Sequence, residues 1–196
     1  MGQIEIKSMT LGMVATNCYL IINKENKEAL LVDPADNALR ISNVIEENGC
    51  TLKAILLTHG HFDHIGGSCQ FDCAYLAKED RVILEEYDDE LINVWLNELS
   101  EESIHFKSNG WKQIKDLDFH EFDLGGCIGK IIPLSGHSKG SIGVYFPSLK
   151  ILLAADALSP VMCMMFLNHT SLENQLETLY KVQSLNFDVF ITSHSP

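Results

Sequence analysis

Apolar and polar positions change period repeatedly along the first sixty residues. Gln3-Ile4-Glu5-Ile6-Lys7 alternates, the mark of a half-buried strand. Cys18-Tyr19-Leu20-Ile21-Ile22 and Ala29-Leu30-Leu31-Val32-Asp33 read as two further strands, and the polar stretch from Asn23 to Glu28 is short enough to close a hairpin between them. Asp33-Pro34 ends that sheet segment. Asp36 is the candidate N-cap of a helix in which Ala38, Ile41, Val44 and Ile45 recur at helical spacing until Gly49 stops it. Leu52-Lys53-Ala54-Ile55-Leu56-Leu57 then reads as a short buried strand.

Farther along, Ile65-Gly66-Gly67 predicts the start of a short helix, and Ala74 to Ala77 a strand. From Lys78 to Glu102 the chain turns acidic and helical, with Leu84, Leu91, Val94, Trp95 and Leu99 as apolar positions. Trp95, Phe106 and Trp111 are either core or the lining of a lid. Strands resume at 118–122, 130–134, 142–146 and 150–154. Thr170 with Glu173 then makes a capping box, opening a helix that carries Leu172, Leu176, Leu179 and Val182. A last apolar run, Phe187 to Ile191, precedes Thr192-Ser193-His194-Ser195-Pro196. With no repeat, low-complexity tract or linker in view, the expectation is one α+β domain over residues 1–196.

Chemistry concentrates where the apolar runs end. Thr58-His59-Gly60-His61-Phe62-Asp63-His64 follows the strand at 52–57. Its histidines and aspartate cannot share one face of a helix or strand, but a loop can turn them toward a common point. Imidazole nitrogen and carboxylate oxygen are ligand types for zinc, iron or manganese. A merely solvated polar loop rarely spends its positions this way. His137 follows the strand at 130–134, Asp156 the strand at 150–154, and His194 the last run. Together with the first cluster these make a donor set large enough for two metal ions sharing one carboxylate.

Charge narrows the partners. Fourteen Lys and Arg against 27 Asp and Glu give a formal net charge of −13, which disfavours nucleic acid and anionic membrane, since phosphates are held by Lys and Arg. Met1 to Ile6 has neither a basic nor an apolar leader, and no long apolar span follows, so the expected compartment is the cytoplasm. Oligomeric state is not legible. The six cysteines lack Cys-x-x-Cys spacing, and in a reducing compartment they read as free thiols.

The His-x-His-x-Asp-His loop, followed in order by His137, Asp156 and His194, resembles the metallo-β-lactamase superfamily of hydrolases, and within it the glyoxalase II group. The resemblance covers nearly the whole chain. It implies a four-layer αββα sandwich of two mixed sheets. It also implies one metal held by His59, His61 and His137, a second by Asp63, His64 and His194, and Asp156 bridging them. Departures are visible. Gly136-His137-Ser138-Lys139-Gly140-Ser141 stands for the usual Gly-His-Thr-Pro-Gly-Ser, Ala155-Asp156 for Gly-Asp, and Ser193-His194-Ser195-Pro196 for Gly-His-Gly-Pro. Ser159 to Phe166 replaces a common Gly-Arg-Thr-Asp stretch.

By that resemblance the expected activity is hydrolysis of a small ester, thioester or lactone by a hydroxide shared between two divalent ions, most simply zinc, with Asp63 orienting the nucleophile. Lys139, Met164 and Phe166 are the candidate substrate contacts, the lysine for a carboxylate and the others as an adaptable apolar wall. The glutathione thioester of glyoxalase II is expected to be a poor substrate, because no helical domain follows Pro196 to hold its charged tail. The rival expectations are a mononuclear iron dioxygenase acting on a persulfide, a phosphodiesterase, and a metal-binding module without turnover.

Overall fold

The structure, a computed structural model, describes residues 4–72, 74–87, 113–159 and 170–194. Strands β1 (Ile4–Leu11), β2 (Thr16–Asn23), β3 (Glu28–Val32), β4 (Thr51–Leu57), β5 (Ala74–Leu76) and β6 (Lys115–Asp116) form one sheet in sequence order. The first three are antiparallel and the rest continue parallel. In the second sheet β7 (Glu121–Asp123), β8 (Ile128–Pro133), β9 (Ile142–Phe146) and β10 (Ile151–Leu153) run antiparallel, and β11 (Val189–Ile191) lies parallel beside β10.

Strand periodicity sorts side chains into layers. On β2, β3 and β4, Leu20, Ile22, Leu31, Ile55 and Leu57 turn to one face, where Ile41 of helix α1 (Ala38–Glu47) and Phe62 and Ile65 of α2 (Phe62–Ile65) cover them. Tyr19, Ile21, Leu30, Val32 and Leu56 turn to the other face and meet Ile131, Val144 and Phe146 of the second sheet. Beyond that sheet, Tyr145 and Leu152 pack with Val182 of the helix Leu172–Gln183, labelled α4 once α3 (Arg81–Glu85) is counted. Helix, sheet, sheet, helix is the four-layer α+β sandwich.

The topology also explains why distant residues converge. β3, β4 and β5 run the same way, so their carboxyl ends share one edge of the first sheet. In the second sheet β8 and β10 are both antiparallel to β9, and β11 is parallel to β10, so these three also end at one edge. The Ile142 N–H donates to the Thr58 carbonyl at 2.8 Å, joining the two edges.

Local details differ from the sequence expectations. Asn37, not Asp36, caps α1. It adopts φ 49° and accepts from the Arg40 N–H, a left-handed conformation that a short amide side chain tolerates. Ser171, rather than the Thr170–Glu173 box, caps α4 by accepting from the Asn174 N–H. Leu172, Leu176 and Leu179 of α4 are exposed, and Gln175, Thr178 and Val182 face the sheet. Polar residues win the inner face because carbonyls await them: the Thr178 hydroxyl donates to Ser135 at 2.6 Å, and the Gln175 amide to Ala157 at 3.1 Å. The acidic stretch beyond Tyr87, with Trp95, Phe106 and Trp111, lies outside the described residues.

Candidate metal centre

The imidazole-rich loop is less of a loop than expected. His59 and His61 flank Gly60 in the link after β4, but Asp63 and His64 already belong to α2, whose helical path begins at Phe62. His137 sits in the turn after β8, held by Gly136 N–H to Ser138 carbonyl and Leu134 N–H to Ser141 carbonyl bonds of 2.9 and 2.8 Å. Asp156 follows β10 on a turn that starts at Ala155. His194 follows β11. Its loop is tied to β2 by the Tyr19 hydroxyl donating to the Thr192 carbonyl at 2.5 Å and the Asn17 N–H to the Ser193 carbonyl at 2.8 Å.

All seven side chains meet at one spot. Donor atoms of His59, His61 and His137 lie within 4.8 Å of one another, as do those of His59, His64 and Asp156, and those of Asp63, His64 and His194. His137 Nε2 stands 3.2 Å from His59 Nε2 and 3.0 Å from His61 Nδ1. Asp156 Oδ2 stands 3.4, 3.3 and 3.6 Å from Nε2 of His64, His194 and His137. An ion with bonds of about 2.0–2.1 Å in tetrahedral array keeps its donors about 3.3–3.4 Å apart. The donor spacing therefore fits, and so does the donor chemistry. Asp156 Oδ1, buried, finds no hydrogen-bond partner among the described residues, so its lone pairs are left for a cation.

Hydrogen bonds dictate which ring nitrogen faces the centre. Asp33 is fully buried, with Oδ1 accepting from the Thr58 N–H at 2.8 Å and Oδ2 from the Thr58 hydroxyl at 2.7 Å and from His64 Nδ1 at 2.9 Å. A carboxylate only accepts, so His64 keeps a proton on Nδ1, and Nε2 is the nitrogen that faces the centre. The Thr58 hydroxyl spends its one proton on Asp33. Its 3.1 Å contact with His59 Nδ1 is therefore a bond that His59 donates, which frees His59 Nε2 likewise. The Val14 carbonyl, 3.3 Å from His194 Nδ1, does the same for His194. Asp33 and Thr58 were missed as functional residues. The available signal was an acid at the end of an apolar strand, the placement that marks Asp156.

Asp33 and Ala155 both take left-handed backbone, at φ 51° and 48°. Neither is glycine, so the conformation costs energy; Asp33 bears a buried carboxylate and Ala155 directly precedes Asp156. Ala155 is the position where the resembled family usually has glycine.

Electrostatically the centre is divided. Burial, reinforced by its histidine neighbours, pushes His59 well below the usual imidazole range and His61 to about 3. His194, bonded to Asp156 and Asp63, rises to about 9. Burial opposes charge on His64, but Asp33 and Asp63 outweigh it and raise this group well above its ordinary value. Asp63 falls to about 2, since His64 and His194 overcome its burial, and Asp156 falls farther through the same two neighbours.

Of the expected substrate contacts, Lys139 is exposed on the His137 loop, while Met164 and Phe166 lie outside the described residues. Among the described residues no helix is long and apolar enough to cross a membrane.

Comparison with known proteins places this architecture. The family model described as the metallo-beta-lactamase superfamily matches residues 11–194. A hydroxyacylglutathione hydrolase of Haemophilus influenzae is 30% identical over 152 residues, covering 72% of this chain and 66% of its own length. A probable metallo-hydrolase of Bacillus subtilis is 26% identical over 165 residues, 78% of this chain and 70% of that protein. The chain spans about two thirds of the length of the curated relatives it matches. Among solved structures, TTHA1623 in a di-iron-bound form superposes with a TM-score of 0.75 at 23% identity, covering 97% of this chain and 92% of that one. Fold, sequence match and donor arrangement agree: the chain belongs to the metallo-beta-lactamase superfamily.

Proposed function

We propose that this protein is a dinuclear metal-dependent hydrolase of a small ester, thioester or lactone, with a thioester the class to test first. The observation that carries the reading is Asp156 Oδ2, within 3.3–3.6 Å of three imidazole nitrogens drawn from both ends of the donor cluster. One carboxylate oxygen so placed suits two cations better than one. His59, His61 and His137 would hold the first ion, Asp63, His64 and His194 the second, and Asp156 both. Zinc suits the donor set, and iron suits it too. The bound ions would supply Lewis acidity and a water made acidic enough to attack near neutral pH.

The chain's own residues have distinct parts in this reading. Asp63 is the more exposed of the two carboxylates in the centre, its side chain 34% exposed, and in this reading would orient an attacking water and accept its proton. The Thr16 hydroxyl, 3.4 Å from Asp63 Oδ2, helps hold that carboxylate in place. Asp33 and Thr58 lock the tautomers of His64 and His59. Lys139, at the exposed edge, would meet an anionic group on the substrate. The name of the Haemophilus relative supports a thioester, and its glutathione moiety is one alternative among several acyl carriers.

The test is hydrolysis by protein loaded with zinc or with iron, over S-lactoylglutathione, short-chain thioesters, aryl esters, lactones and a phosphodiester. Turnover of a carbonyl substrate that is lost with chelator and restored by metal is the expected result. Turnover of the phosphodiester alone, or none at all with two ions bound, would overturn it. One iron per chain with oxygen uptake on a persulfide would replace it with the dioxygenase.

A further inference from the structure

Asp80 is fully buried just after β5 and takes no part in the donor cluster, yet its carboxylate reaches both histidine loops of the first ion's site. Its Oδ2 accepts from the Gly60 N–H at 3.0 Å and from the Ser138 hydroxyl at 2.6 Å, and its Oδ1 accepts from the Gly140 N–H at 2.6 Å. Gly60 lies between His59 and His61. Ser138 and Gly140 lie one and three residues beyond His137. The fit is close: a Cβ added at Gly140 would come within 2.7 Å of Asp80 Oδ1, and one at Gly60 within 3.0 Å of the Asp80 carbonyl. Ser138 is held in turn by the Ser141 hydroxyl at 2.7 Å.

The geometry points to Asp80 as a positioning residue of the metal centre, a clamp whose single carboxylate joins the loop of His59 and His61 to the loop of His137. The role follows from the topology. His59 and His61 come from the first sheet and His137 from the second, and Asp80 spans the two beside their donor atoms. A buried carboxylate accepting three bonds is directional and hard to displace, so it sets the distance between loops that packing alone leaves adjustable. The inference rests on the dinuclear reading, because its effect is on the metal held by the three histidines.

The experiment is titration of cobalt(II) into the apoprotein, followed by d–d absorption, with chelator competition for zinc alongside. Asp80→Asn keeps the size of the side chain but turns an amide toward one of its N–H partners. The expected result is a loss of about 10- to 100-fold in affinity for the all-histidine site, an altered cobalt spectrum there, and a change of no more than about threefold at the site of Asp63, His64 and His194. Ser138→Ala, which removes one of the three bonds, should shift the same site in the same direction by less. Wild-type affinity and spectrum in folded Asp80→Asn would overturn the clamp. Equal losses at both sites would also overturn it, since they would show a general structural role. Should Asp80→Asn fail to fold, unchanged first-site affinity in Ser138→Ala would overturn it instead. A wild-type protein that takes up no metal would bring down the proposed function along with the clamp, an outcome distinct from the variant results.

Discussion

The two halves of the metal centre are built from the same kinds of residue and prepared in opposite ways. His59, His61 and His137 are all buried, and burial keeps His59 and His61 neutral. On the other side, Asp63 and His194 are partly exposed, at 34% and 28% of their side chains, and carboxylates hold His64 and His194 in the protonated form. Imidazole must be neutral to bind a metal. His59 and His61 are ready as they stand. The second half carries protons that a metal must displace, held there by the neighbouring carboxylates. The contrast predicts sequential filling, histidine side first, and a second site whose occupancy depends more steeply on pH.

Asp156→Ala should have the largest effect, because this carboxylate belongs to both halves. The expected outcome is a fall of at least about 100-fold in kcat/KM for whichever substrate is turned over, with the second metal equivalent lost in elemental analysis. Lys139→Ala should change the same quantity by no more than about threefold, as an exposed single charge does. Equal and mild effects from both would remove the bridge from the picture.

Asp33→Asn separates the halves. The uncharged amide must turn its NH2 either toward the Thr58 N–H or toward the Thr58 hydroxyl and His64, so the second metal should bind about 10- to 100-fold more weakly. The first metal should be affected less, through Thr58 and His59. Chelator competition on each equivalent measures both. A larger loss at the all-histidine site would reverse the assignment.

Proton release gives a direct reading of the contrast. At pH 7, the second metal equivalent should release protons from His64 and His194, whereas His59 and His61 have none to give to the first. A pH indicator in weak buffer follows this, and equal release on both equivalents would break the distinction. The apoprotein's stability should follow the same groups. His194, raised to about 9, contributes stability that is full below pH 6.5 and lost as the pH climbs through 9. His61, lowered to about 3, contributes stability that is full above pH 6.5 and lost as the pH falls through 3. The thermal stability of the apoprotein should thus decline between pH 6.5 and 9, and the metal-loaded protein should not show that decline.

The smallest expected effect is at Ala155. Ala155→Gly relieves a left-handed conformation and should stabilise the fold by about 1 kcal/mol, read as a modest rise in Tm. Metal affinity in both halves should stay the same, because hydrogen bonds and packing, not strain, hold Asp156. A loss of stability would mean that the backbone at this position is not left-handed.

Much of this was legible in one dimension. The apolar runs that became β2, β3, β4, β9 and β10 could be read directly, since buried strands need continuous apolar side chains on both faces. So could the rule that each donor sits where such a run stops. The element boundaries around the site were less legible. Asp63 and His64 read as loop because their spacing suits no single helical face, yet α2 begins at Phe62, since a turn of helix is the shortest way to bring both beside His194. The inner face of α4 misled for a related reason. Periodicity marked a helix carrying leucines, but the carbonyls of Ser135 and Ala157 that draw Thr178 and Gln175 inward could not be seen until the sheet edge was assembled.

By itself, then, the chain determined its strands, the kinds of atom that could bind a metal and the order in which they arrive, because these depend on local composition and period. Only the tertiary structure decided which donors face each other, which nitrogen of His59, His64 and His194 is turned inward, and that His59 and His61 are already neutral. Those outcomes depend on Asp33, Thr58 and Asp80, whose importance lies in contacts made across strands and sheets. A carboxylate's role is set by what it accepts from once buried, and burial is a property of the folded chain.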